Sequence, residues 1–147
     1  MSNDSEFKVN TARDALSLLT QKVYARYGRE ALDMIGDVWH KLGHAIGKQM
    51  KKNLPDTGLV TVGQFFVDSG RKRGTKLDIL ELNENRIHIK GYSCALGLKG
   101  KGRDLCLACM KCDKGIFEAA TGSPLTMDII TTVADDADCC EISFKLK

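Results

Sequence analysis

No apolar run in this chain approaches the roughly 18 residues that a membrane span needs. The first ten residues, Met1 to Asn10, are polar and carry acids, so they do not read as a secretory signal. There is no long basic stripe. Net charge is only +3, and lysine and arginine are mixed with acids except at Arg71–Arg73 and between Lys99 and Arg103. That balance argues against nucleic acid as a partner. Internal repeats and linkers are also missing. So are a nucleophile elbow and the Gly-Lys-Ser/Thr ending of a phosphate-binding Walker loop. These absences leave a single soluble domain, expected in the cytoplasm. Its 147 residues, 43% hydrophobic, suffice for a real core without staples.

The chain has six cysteines. Three form Cys106-x-x-Cys109-x-x-Cys112, and Cys139 and Cys140 are adjacent. In a reducing compartment, clustered thiols read as metal-binding or catalytic before they read as disulfides. A run with two-residue gaps lets neighbouring sulfurs converge on one ion. Iron–sulfur runs use the same gaps, but the fourth Cys with a following Pro is missing here. The competing reading is packing. Leu105, Cys109, Cys112, Ile116 and Ala120 also make an apolar helical stripe, and buried Cys is a common small hydrophobe.

Periodicity organises the rest. Residues 1–9 read as a flexible leader and 10–147 as one domain. A helix capped by Asn10 or Thr11 is expected to run to about Arg26, where Gly28 breaks it. A longer helix follows from about Arg29 to Lys52. Its Leu32, Ile35, Trp39, Leu42 and Ile46 share a face, and Gly36, Gly43 and Gly47 fall on a related one. Those glycines mark either close backbone packing or room for a ligand. His40 and His44, four apart with Asp37 a turn earlier, have metal-compatible spacing but read as surface residues opposite the Trp39 stripe. A short helix is expected over Thr61–Ser69.

Alternation then replaces helical spacing. Lys76–Leu82 and Arg86–Tyr92 read as strands joined at Asn83-Glu84-Asn85. Residues 97–103 form a basic, glycine-rich loop. Asp104 is placed to cap the cysteine-bearing helix, which Thr121-Gly122-Ser123-Pro124 stops. Two final strands carry Leu125 to Val133 and Cys140 to Leu146, and parity puts Cys140 inward and Cys139 outward. The fold class is α+β: N-terminal helices packed on a four-stranded antiparallel sheet, with the Cys-bearing helix between two hairpins. Lys99, Lys101 and Arg103, just ahead of a helix N-terminus, suit a small organic anion.

Tyr27-Gly28-Arg29-Glu30-Ala31-Leu32, the hairpin ending in Cys94, Cys109-Met110-Lys111-Cys112-Asp113 and Asp138-Cys139-Cys140-Glu141-Ile142-Ser143-Phe144 together resemble a known family. It is the L-2-amino-thiazoline-4-carboxylic acid hydrolase family, related to the 4-vinyl-reductase-like small-molecule-binding domains. The resemblance covers most of residues 20–147. It implies a pocket between helices and sheet, with a Cys-ligated zinc nearby. Cys94, Cys109 and Cys140 are the carried-over positions, and Asp113 is a polar, catalytic partner. The chain departs from the pattern in having Thr131-Thr132-Val133-Ala134 before the last strand, and in the extra Cys106 and Cys112. The implied activity is hydrolysis of a cyclic amidine carboxylate by metal-activated water. The alternatives are a non-catalytic binding or sensing domain with a structural metal held by Cys94, Cys106, Cys109, Cys112 or Cys140, and an iron–sulfur or metal-carrier protein. A second copy of the chain is a further expected partner.

Overall fold

The computed structural model describes residues 7–147. Residues 1–6 of the expected leader lie outside the described residues, and Phe7 packs beside Gly97. Helix α1 spans Ala12–Tyr27. Thr11 and Asp14 form a reciprocal capping box, which satisfies two of the free N–H groups at its start. A single 3-10 turn over Gly28–Ala31 leads into α2, Leu32–Lys52. Helix α3 covers Leu59–Lys72, longer than the expected 61–69 at both ends. Its first turn buries Leu59 and Val62 and its last buries Gly70, so burial extends it beyond the phenylalanines.

Strands β1, Leu77–Leu82, and β2, Arg86–Gly91, form the first hairpin. Helix α4, Arg103–Thr121, follows, and then β3, Leu125–Thr131, and β4, Cys140–Leu146. The four strands make one antiparallel sheet in the order β1-β2-β4-β3, so the two hairpins join through their second strands. One row of the inner face carries an isoleucine from every strand, with Ile79 opposite Ile89, Ile89 opposite Ile142, and Ile142 opposite Ile129. Such directly opposed apolar pairs fix register, because a one-residue slip would turn the row to solvent.

Helices α3 and α4 lie on that face. Phe117 stacks between Phe66 and Phe144, with ring centroids 4.9 and 4.6 Å away. Helix α2 lies outside α4 and runs parallel to it, with Gly43 beside Cys112 and Gly47 beside Ile116. Gly43 and Gly47 thus match Gly115 and Ala119 at the same spacing, and the two backbones meet along these small residues, whereas Gly36 faces the Lys111 side chain. This settles the two readings of Gly43 and Gly47 in favour of packing. Helix α1 closes the other side, where the Trp39 indole donates to Thr20 Oγ1 at 3.0 Å. Among the described residues, no helix is long and apolar enough to cross a membrane.

Candidate functional site

The first half of α4 carries the thiols. Asp104 is not its cap. Gly102 takes that position without a side-chain bond, while Asp104 sits in the first turn and pairs with Arg29 across from α2. Leu105, Cys106, Cys109 and Cys112 are all buried. They form the packed stripe that the helical spacing allows.

Cys106 and Cys140 both meet Thr132, just after β3, and Cys94 and Cys109 are near enough to Cys106 to interact with it electrostatically. All six cysteines are free thiols. Thr132, itself buried, is the polar hub of this group. Its hydroxyl donates to Cys106 Sγ at 3.3 Å, and accepts from Ala134 N at 3.1 Å and from the Cys140 thiol at 3.9 Å. Val133 N also points to Cys140 Sγ, at 3.5 Å. Parity placed Cys140 correctly: it continues the inner face opposite Gly91.

Cys112 stands apart from the others. It faces α1, where Arg13 Nη2 approaches its sulfur at 3.9 Å. Burial pushes the Cys106 thiol up to about 11 and the Cys112 thiol up to about 12. Burial also raises Cys94, and raises Cys109 further still, with the neighbouring thiols adding to it. Burial outweighs the pull of Arg13 on Cys112 and of Arg103 on Cys106, so these thiols lack the accessible, net-stabilising surroundings that make a reactive thiolate. Among the described residues, no three His, Cys, Asp or Glu side chains are grouped as metal ligands. The zinc or iron–sulfur centre expected from the spacing therefore has no preformed ligand set. Cys109→Ser should lower stability by about 1–3 kcal/mol, because a hydroxyl would be buried among thiols and aliphatics without a partner. Cys139→Ser, at a half-buried position in the bend just before β4, should cost much less. Equal shifts in thermal unfolding would contradict this.

Asp113 follows Cys112 on α4. It is half-buried, and burial raises its pKa to about 6 against the opposing pull of Arg13 and Arg73. It lies ten residues along the helix from Arg103, about 15 Å at 1.5 Å per residue.

The 94–102 loop is anchored. Leu96 and Leu98 are buried, and Gly100 N and Gly102 N donate to the carbonyls of Val133 and Ala134. Leu96 O accepts from Ser17 Oγ and Gln21 Nε2 of α1. Gly97, Gly100 and Gly102 all have positive φ, which suits a tight path. Arg103 donates to Ile129 O and pairs with Asp135, and so ties the start of α4 to the second hairpin. Lys99 and Lys101 are exposed. The loop thus presents two lysines to solvent, with the arginine occupied.

His40 keeps part of its side chain at the surface, as the spacing suggests, but also meets α4. It is half-buried, with Nε2 3.1 Å from Glu118 Oε1 of α4. His44, one turn later, faces a cleft of about 640 Å³ at the C-terminal end of α4. Lys48, Lys51 and Lys52 of α2 line one side, and Glu118, Ala119, Gly122, Ser123 and Pro124 the other. A second cleft of about 430 Å³, lined by Asp56, Glu84 and the start of α3, adjoins it at Ser123. A lysine ridge at i, i+4 spacing was the only signal for the first cleft, and its opposite wall comes from a helix end 70 residues away.

Neither a protein-family model nor a curated protein sequence matches the chain. Solved structures do share its fold. The phenol-responsive sensory domain of the transcription activator PoxR, bound to phenol, has a TM-score of 0.63 at 15% identity, covering 95% of this chain and 76% of that one. An H-NOX protein from S. oneidensis in an Fe(II)NO ligation state has a TM-score of 0.56 at 16% identity, covering 95% and 78%. A trafficking protein particle complex subunit 3 from Naegleria fowleri, covalently bound to palmitic acid, has a TM-score of 0.55 at 12% identity, covering 91% and 94%.

Proposed function

We propose that this chain is a non-catalytic small-molecule-binding domain of the sensory kind. The observation that carries the reading is the state of the groups a hydrolase would use. Cys106, Cys109 and Cys112 are buried and burial raises their thiols, which opposes their use as nucleophiles or metal-ligating thiolates. Asp113 lies about 15 Å along α4 from the loop that would hold a substrate carboxylate, too far for both to act on one small ring. The shared fold with a phenol-responsive sensory domain over 95% of the chain supports binding without chemistry. Zinc or an iron–sulfur centre is no part of this reading. Metal analysis of protein purified with reductant checks that, and a stoichiometric metal would restore the structural-metal version.

The test is a thermal-shift screen of small aromatics and carboxylates, paired with product analysis on 2-aminothiazoline-4-carboxylate. A ligand at a hundred times its Kd should stabilise the protein by about 2.7 kcal/mol. We expect at least one such ligand and no thiazoline ring opening. Turnover of the thiazoline, or a screen without any stabilising ligand, would overturn the reading.

A further inference from the structure

We propose that the cleft between the C-terminal half of α2 and the end of α4 binds a small organic polyanion, one carrying phosphate or several carboxylates. The inference deepens the binding reading above and rests on it. Three lysines, Lys48, Lys51 and Lys52, line this cleft with a single carboxylate, Glu118. Glu118 is already engaged: one oxygen meets His40 Nε2 at 3.1 Å and the other accepts from Leu125 N at 3.5 Å.

Part of the positive charge has a structural use. Helix α4 has no basic residue in its last turn, so its negative end must be offset from elsewhere. Lys51 serves there, since a Cβ on Gly122 would lie 3.9 Å from its Nζ. Lys51 and Lys52 also sit in the last turn of α2, where cations offset that helix's own dipole. Lys48 is a full turn earlier, beyond the reach of that effect. Among the described residues, neither Lys48 nor Lys52 makes an ion pair.

Lys48, with no such use, and Lys52, with no ion pair, therefore line a concave site whose far wall includes the apolar Ala119 and Pro124. Low-dielectric walls concentrate the field of such charges and raise the local concentration of anions. His44 lines the same cleft, and its ring N–H adds a donor for an anion. The site is separate from Lys99 and Lys101, which precede the other end of α4, a helix of 19 residues and so about 28 Å long. The volume, about 640 Å³, suits a free small molecule. An anionic lipid headgroup offers the same chemistry from another source.

The full chain is titrated with sodium pyrophosphate and with citrate at low ionic strength, followed by calorimetry and by amide chemical shifts. Two double variants are compared, Lys48→Ala with Lys52→Ala, and Lys99→Ala with Lys101→Ala. Thermal unfolding confirms that each remains folded. We expect saturable binding by the parent chain and by the loop variant, and at least about tenfold weaker binding by the cleft variant, the scale of a lost charge-assisted contact. Vesicles of anionic phospholipid form a separate arm, and we expect no binding to them. Absence of saturable binding, equal affinity in the cleft variant, or binding to vesicles alone would overturn the assignment. A ligand from the thermal-shift screen that binds the cleft variant undiminished would sink the cleft and leave the binding reading standing.

Discussion

Replacing Gly43 with alanine should destabilise the protein by about 3 kcal/mol or more, while the same change at Gly36 should be neutral or stabilising. Both glycines lie on α2 and face α4. A Cβ on Gly43 would stand 2.8 Å from Cys112 Cα and closer still to the Cys112 carbonyl. Those atoms belong to the backbone of a buried helix, so relief requires the two helices to move apart. Overpacking of this kind costs about 1–3 kcal/mol where side chains can give way, and more where they cannot. At Gly36 the new methyl would meet only the outer part of the Lys111 side chain, the nearest atom being Cδ at 2.9 Å. A lysine stem swings aside at little cost, and alanine is better than glycine in a helix by about 1 kcal/mol. For a domain of this size, 3 kcal/mol corresponds to about 6–12 °C in Tm. Thermal or urea unfolding of the two variants measures the contrast. Similar shifts in both would mean that α2 and α4 are not seated backbone to backbone at Gly43.

That contrast bears on what a single sequence displays. The glycine row of α2 was visible as a row, while its partner on α4, at Gly115 and Ala119, was not singled out. What the spacing could not supply was that the two rows face each other, because nothing local distinguishes a packed glycine from one that leaves room. The hairpins were legible for a firmer reason. Alternation over Arg86–Gly91 and Cys140–Leu146 has one buried answer, and it correctly set Cys140 inward. Asp104 read as a helix cap from its position alone, but its partner is Arg29, 75 residues earlier, and only tertiary structure brings them together. The partner of His40, Glu118, was hidden for the same reason, since it belongs to α4. The cysteine run was conspicuous as a motif. Its stripe with Leu105, Ile116 and Ala120 is buried, as helical spacing alone would place it.

Asp113→Asn should raise stability at neutral pH by up to about 3 kcal/mol and have little effect near pH 4. In the folded protein burial holds the Asp113 carboxyl at about 6, above its ordinary 3.8. The folded state therefore holds the proton more tightly than the unfolded chain does. This group favours folding below about pH 4, and that advantage is lost as pH rises through about 6, where the folded state must ionise it in packed surroundings. The displacement from 3.8 to about 6 corresponds to about 3 kcal/mol between the two protonation states. Arg13 of α1 and Arg73 at the end of α3 pull the other way, and Cys112 on the same helix is itself held neutral partly by this carboxylate. Asparagine keeps the shape and removes the ionisation. The difference in unfolding free energy between variant and parent should therefore climb from pH 4 to pH 7 and then level. Measuring the difference isolates this carboxyl from the other acids, whose titration is common to both proteins. If the asparagine variant is instead less stable at pH 7, the attraction of Arg13 and Arg73 outweighs burial, and Asp113 anchors α1 and α3 to α4 as an ion.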